Sequence, residues 1–134
     1  MRLVEKILFE SRNVPHFNNY KFRVNERDYE VIITGEEGSY YYNRLFKLPI
    51  ENKWFTIGFK VVGQDYYYDA KDPKAVYKVL GSVLNTAKEF SKQYGVTTFI
   101  LQPSTEKRNR IYELYLKRLG VKYVNGGGKI AIFL

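Results

Sequence analysis

The chain has 134 residues, a length suited to one domain with its own core, and aromatic residues make up 17% of it, thirteen of them tyrosine. It carries no cysteine, which excludes disulfides and thiolate metal sites, and no apolar run approaches the ~20 residues that span a bilayer. The formal charge is +8 and sits in the second half: residues 1–67 hold ten Lys/Arg against nine Asp/Glu, residues 68–134 twelve against five. That asymmetry points to an anionic partner, with a merely solvated surface as the plainer reading.

In chain order, Leu3 to Phe9 reads as a first strand, and its Glu5 and Lys6 make it a poor signal-peptide core, so an intracellular, cytoplasmic protein is expected. Ser11 to Asn19 reads as a polar connection holding Pro15 and the only histidine, His16, a loop residue rather than a catalyst or metal ligand. Tyr20–Val24 and Tyr29–Thr34, separated by Asn25-Glu26-Arg27-Asp28, predict a β-hairpin. Gly35 to Gly38 is an acidic turn, and residues 39–53 read as an irregular excursion that opens on Tyr40, Tyr41 and Tyr42.

Lys53 to Val62 alternates as a strand, with Trp54, Thr56, Gly58 and Lys60 on one face and Phe55, Ile57, Phe59 and Val61 on the other. A loop follows from Gly63, holding Tyr66, Tyr67 and Tyr68. Asp72 and Pro73 open a helix that runs to Tyr94, with a stripe of Val76, Val79, Leu80, Val83, Leu84, Ala87 and Phe90 and a stop at Gly95. Val96 to Leu101 reads as a strand buried on both faces. Ser104 or Thr105 caps a second helix, which ends at Gly120 with Lys117 and Arg118 in its last turn. Val121–Val124 and Lys129–Leu134 form a closing hairpin. The expected fold is an α/β (α+β) sandwich, a mixed, mostly antiparallel sheet with two main helices and one parallel step. The whole chain, 1–134, is expected to form one domain.

Several side-chain groups invite chemistry. Lys107, Arg108, Arg110, Lys117, Arg118 and Lys122 are the densest basic group, with Tyr112 and Tyr115 interleaved. Cations neutralise phosphates and aromatic rings stack on bases, so this is the candidate polyanion site; the tyrosines serve equally as core. The tyrosine triplets 40–42 and 66–68 cannot turn every ring inward, so at least one ring of each is exposed or meets a partner; they are the candidate interface for a protein partner or self-association. Asn125-Gly126-Gly127-Gly128-Lys129 reads as a hairpin turn before it reads as a phosphate cradle. Asp65, Asp69 and Asp72 read as a helix cap and loop acids before they read as cation ligands, and no metal is expected.

The order of elements resembles the GNAT acyltransferase superfamily, and more closely the small, reduced GNAT-like proteins of tailed phages. Three features carry the resemblance over residues 53–134: WFTIGF running through a loop into the long helix, TTFIL followed by a helix after Ser104, and NRIYELYLKRLGV, where Asn109, Leu119 and Gly120 match in spacing. Tyr115 stands one position before the family's usual tyrosine. The resemblance implies acyl-CoA binding by a glycine-rich loop at the start of the long helix, where backbone amides hold the pyrophosphate. The matching stretch, Gly63 to Pro73, lacks those glycines and carries three carboxylates. The expected function is therefore a non-enzymatic GNAT-like binding protein without a cofactor, phage-encoded and acting in the host cytoplasm or virion. The alternative is an acyl-CoA-dependent N-acyltransferase using acetyl-CoA, with Asn109 and Tyr115 as the residues the resemblance would make catalytic.

Overall fold

A computed structural model describes residues 14–63 and 73–134. The expected strand Leu3–Phe9, the acids Asp65, Asp69 and Asp72, and Tyr66, Tyr67 and Tyr68 lie outside them. The described elements run β1 (Phe17–Val24), β2 (Arg27–Gly35), α1 (Ser39–Leu45), β3 (Trp54–Val61), α2 (Pro73–Tyr94), β4 (Thr98–Leu101), α3 (Glu106–Arg118), β5 (Lys122–Gly126) and β6 (Lys129–Phe133).

The six strands form one α+β sheet in the order β1-β2-β3-β4-β6-β5. Every neighbouring pair is antiparallel except β3 and β4, which run parallel from Trp54 beside Thr98 to Ile57 beside Leu101. A parallel step needs a long crossover, and α2 supplies it. The alternation in Lys53–Val62 holds: Phe55, Ile57 and Phe59 are buried in the helix-side core, with Val61 packed against its edge. There they meet Val31 and Ile33 of β2, Phe99 and Leu101 of β4, and Ile130 and Ile132 of β6. From α2 come Leu80, Val83, Ala87 and Phe90, and from α3 Tyr112, Tyr115 and Leu116. Each large side chain buried here contributes roughly 1.5–3 kcal/mol.

Local signals explain the helix ends. Thr105 caps α3, its hydroxyl accepting from the Arg108 amide at 3.1 Å. Gly95 and Gly120 follow α2 and α3 with φ of 75° and 70°, the left-handed conformation that ends a helix cheaply only at glycine.

Three expectations are corrected. First, β1 begins at Phe17 rather than Tyr20, because Asn18 belongs to the sheet: its amide donates to the Pro15 and Ile33 carbonyls at 2.8 and 3.2 Å. Second, the first hairpin turns on two residues, Asn25 and Glu26, both at positive φ (49° and 64°), so pairing extends to Val24 opposite Arg27. Third, residues 39–53 are not simply irregular, for they contain α1, which lies on the sheet face away from α2 and α3. Under it a second cluster forms from Trp54, Ile100 and Ala131, with Tyr42, Phe46, Leu48 and Phe133 packed around them.

Candidate functional site

The helix α1 has only seven residues, too few to be stable by its own hydrogen bonds, and its N-cap Gly38 makes no side-chain cap bond. Tertiary contacts hold it. Ser39 Oγ donates to the Glu36 carbonyl at 2.8 Å and accepts from the Trp54 amide at 3.0 Å. The Glu36 carboxylate accepts from Thr56 Oγ1 at 2.7 Å and from the Gly38 amide at 3.1 Å. Asn43, 2% exposed, is the hub. Its Oδ1 accepts from Trp54 Nε1 at 2.7 Å and from Asn52 Nδ2 at 3.0 Å, and its Nδ2 donates to the Asn52 and Ile50 carbonyls at 2.7 and 3.3 Å. Asn52 Nδ2 also donates to Thr98 Oγ1 at 3.0 Å, which ties the network to β4.

Rings complete the anchorage. Phe46 stacks on Trp54 at 5.5 Å and meets Phe133 edge-on at 5.3 Å, while Tyr42 lies 5.2 Å from Trp54. Lys129 Nζ donates to Tyr42 Oη at 3.3 Å, and Lys122 Nζ sits 5.7 Å from the centre of the Phe133 ring. The inner side of α1 is thus fixed to β3, β4 and β6. Its outer side is not covered within the described residues: Tyr40, Tyr41 and Leu45 are 57, 64 and 58% exposed. Arg44 lies 5.9 Å from the Tyr40 ring, and Tyr41 meets Tyr42 edge-on at 5.5 Å. Of the first tyrosine triplet, then, two rings face out and one anchors, on a helix rather than a loop.

The expected basic site divides. Lys107, Arg110, Lys117 and Arg118 are carried on α3, Arg110 pairing with Glu106 at 2.7 Å and Arg108 donating to Ser104 Oγ at 2.6 Å. Lys122 is not on that helix: it opens β5 on the opposite face of the sheet, over Phe133. Tyr112 and Tyr115 are buried in the core at 7 and 6% exposure, Tyr112 near Phe59 and Tyr115 against Tyr77 beneath the Arg118 guanidinium. They present no face to a base.

Asn109, half-buried, accepts through Oδ1 from Asn125 Nδ2. The same Nδ2 reaches Glu113 Oε2 at 2.9 Å, and Tyr123 Oη donates to Glu113 Oε1 at 3.1 Å. This cluster clamps the last hairpin onto α3. It holds the Tyr123 phenol above its usual value, first by desolvation and then through the Glu113 carboxylate. Asn125–Lys129 is a hairpin turn, Gly127 and Gly128 at φ 63° and 77° between the paired Gly126 and Lys129. His16 lies on the rim of a cleft of about 520 Å³ with Glu36, Glu37 and Glu51, and its ring packs over Gly35, where a Cβ would meet Nδ1 at 2.6 Å. Among the described residues no three His, Asp or Glu side chains gather as a metal site, and no helix is long and apolar enough to cross a membrane.

Arg44, Lys47 and Lys129 stand outside the basic group that the sequence singles out. The signal available for them is the absence of acid: residues 38–50 and 122–134 contain no Asp or Glu. No family model matches the chain, and no curated protein matches it.

Proposed function

We propose that the chain is a non-enzymatic, GNAT-like binding protein of the small kind that tailed phages encode, which docks a macromolecular partner through the outer side of α1. The observation that carries this reading is the division of α1. Asn43, Tyr42 and Phe46 immobilise one side against the sheet, while Tyr40, Tyr41 and Leu45 on the other remain more than half exposed. Rigid, exposed tyrosines bury large area on binding at low entropic cost. The strand order, with one parallel step bridged by the long helix, supports the GNAT-like part. The acyltransferase reading has less support: the Asn109 amide oxygen is engaged by Asn125, and Tyr115 belongs to the core. Host cytoplasm or virion is the setting this reading implies.

The test is a photo-reactive benzoylphenylalanine at position 41 or, as a control, at exposed Leu114 on α3, irradiated in extract of the source cells. A crosslinked adduct from position 41 and none from position 114 is expected. Adducts from 114 alone, or from neither, would overturn the assignment. A melt in millimolar acetyl-CoA is expected to leave the midpoint unchanged; a rise of several degrees would revive the acyltransferase.

A further inference from the structure

The outer side of α1 and the adjoining β5–β6 hairpin form one surface. Contacts link it end to end: Arg44 beside Tyr40, Tyr41 against Tyr42, Tyr42 Oη holding Lys129 Nζ, Phe46 against Phe133, and Lys122 over Phe133. Register puts Lys122, Val124, Lys129, Ala131 and Phe133 on this same face, with Val124 46% exposed. The charge on it has one sign. α1, β5 and β6 contribute Arg44, Lys122 and Lys129, Lys47 follows α1, and none of these segments holds an acid. None of the four cations pairs with a carboxylate among the described residues. The neighbouring acids Glu36, Glu37 and Glu51 line the cleft instead.

We propose that this surface binds single-stranded nucleic acid, with Tyr40 and Tyr41 stacking on bases and Arg44, Lys47, Lys122 and Lys129 contacting phosphates. The inference rests on the docking reading of α1 and names its partner. Exposed rings and, among the described residues, unpaired cations lie side by side on this surface. A nucleic-acid strand offers a π-face and a phosphate in every repeat, and this surface sets two exposed rings, Tyr40 and Tyr41, among cations, with Arg44 5.9 Å from the Tyr40 ring and Lys129 on the neighbouring Tyr42 hydroxyl. In a duplex the base faces are already stacked, so rings standing clear of the surface suit an unpaired strand. The α3 cations lack this pattern, because the tyrosines between them are buried.

Fluorescence anisotropy of labelled dT15 and rU15, with a 15-base-pair duplex as comparison, tests it on the full chain. Both single strands are expected to bind and the duplex to bind more weakly; preference for rU15 over dT15 would assign RNA, and the reverse DNA. Four phosphate contacts imply a salt slope of about −2.8, or about fifty-fold weaker binding at 200 mM than at 50 mM salt. Tyr41→Ala is expected to weaken binding about tenfold. The pair Lys122→Gln and Lys129→Gln should halve the slope to about −1.4. The triple variant Lys107→Gln, Lys117→Gln, Arg118→Gln should leave affinity within about twofold, since its cations lie off the surface. No anisotropy change at 50 mM salt, an unchanged affinity in Tyr41→Ala, or loss confined to the α3 triple variant would overturn the proposal. A nuclease-resistant protein adduct at position 41 without strand binding removes the nucleic acid and keeps the docking reading. Absence of both removes both.

Discussion

Asn43 gives α1 an inside and an outside. Its amide meets the buried Trp54 indole and, in part-buried positions, the Asn52 side chain and two backbone carbonyls. Asn43→Ala strands these partners at once, and a buried group left unpaired costs roughly 1–3 kcal/mol. We expect a loss of about 3 kcal/mol, read from urea unfolding followed by fluorescence of Trp54, the only tryptophan. Tyr41→Ala, on the exposed side, should change stability by no more than about 0.5 kcal/mol, so that its effect on binding is separable from folding. Tyr123 gives a second prediction. Its folded pKa lies above the ordinary 10.0, so the unfolded chain loses this proton first as pH rises. The stabilisation it supplies is complete below about pH 10 and disappears as pH climbs through the folded value. Tyr123→Phe should therefore flatten the alkaline fall in melting temperature; an identical fall in both proteins would remove Tyr123 as its cause.

Among the elements, those with their own punctuation are legible in the sequence. Pro73 and Gly95 bracket α2, Thr105 and Gly120 bracket α3, and the stripe from Val76 to Phe90 gives α2 its buried side. The alternation in β3 announces its two faces. α1 carries no such marks: it has no side-chain cap and no acid in its first turn, and its inward residues include a buried asparagine that no apolar periodicity reveals. β1 reads short for the same reason, since Asn18 is polar yet buried in the sheet. The candidate site inherits this blindness. Tyr40–Tyr42 are visible as residues that cannot all turn inward, whereas Lys122 and Lys129 lie some eighty residues away and reach the α1 face only through the β4–β6 and β5–β6 pairings, Lys129 at Tyr42 and Lys122 at Phe133. The hairpin turn supports one prediction at this scale. Glu26 holds a left-handed conformation that costs an L-residue roughly 1–2 kcal/mol, partly offset by the greater unfolded-state entropy of glycine. Glu26→Gly should stabilise the protein by about 0.5 kcal/mol, seen as a higher urea midpoint at unchanged slope. A lower midpoint would mean that the Glu26 side chain contributes more than its strain.

Across the whole molecule the sheet separates two tasks. One face carries α2, α3 and the larger core, which supplies the stability. The other carries a small aromatic cluster whose outer layer, α1 with the β5–β6 hairpin, is cationic, free of acid and only partly covered. The net charge of +8 alone points to no particular surface. The fold does, by turning Lys122 and Lys129 away from the α3 cations and toward the α1 face, Lys129 to the Tyr42 hydroxyl and Lys122 to the Phe133 ring that packs on Phe46. The most direct test of that division is a nitrogen-15 correlation spectrum of the protein titrated with dT15 at low salt. Binding should move the amide signals of residues 40–47, 122–124 and 129–133 and leave those of 106–118 in place. Shifts gathered along 106–118, or a spectrum that does not change while the strand is in excess, would contradict the account.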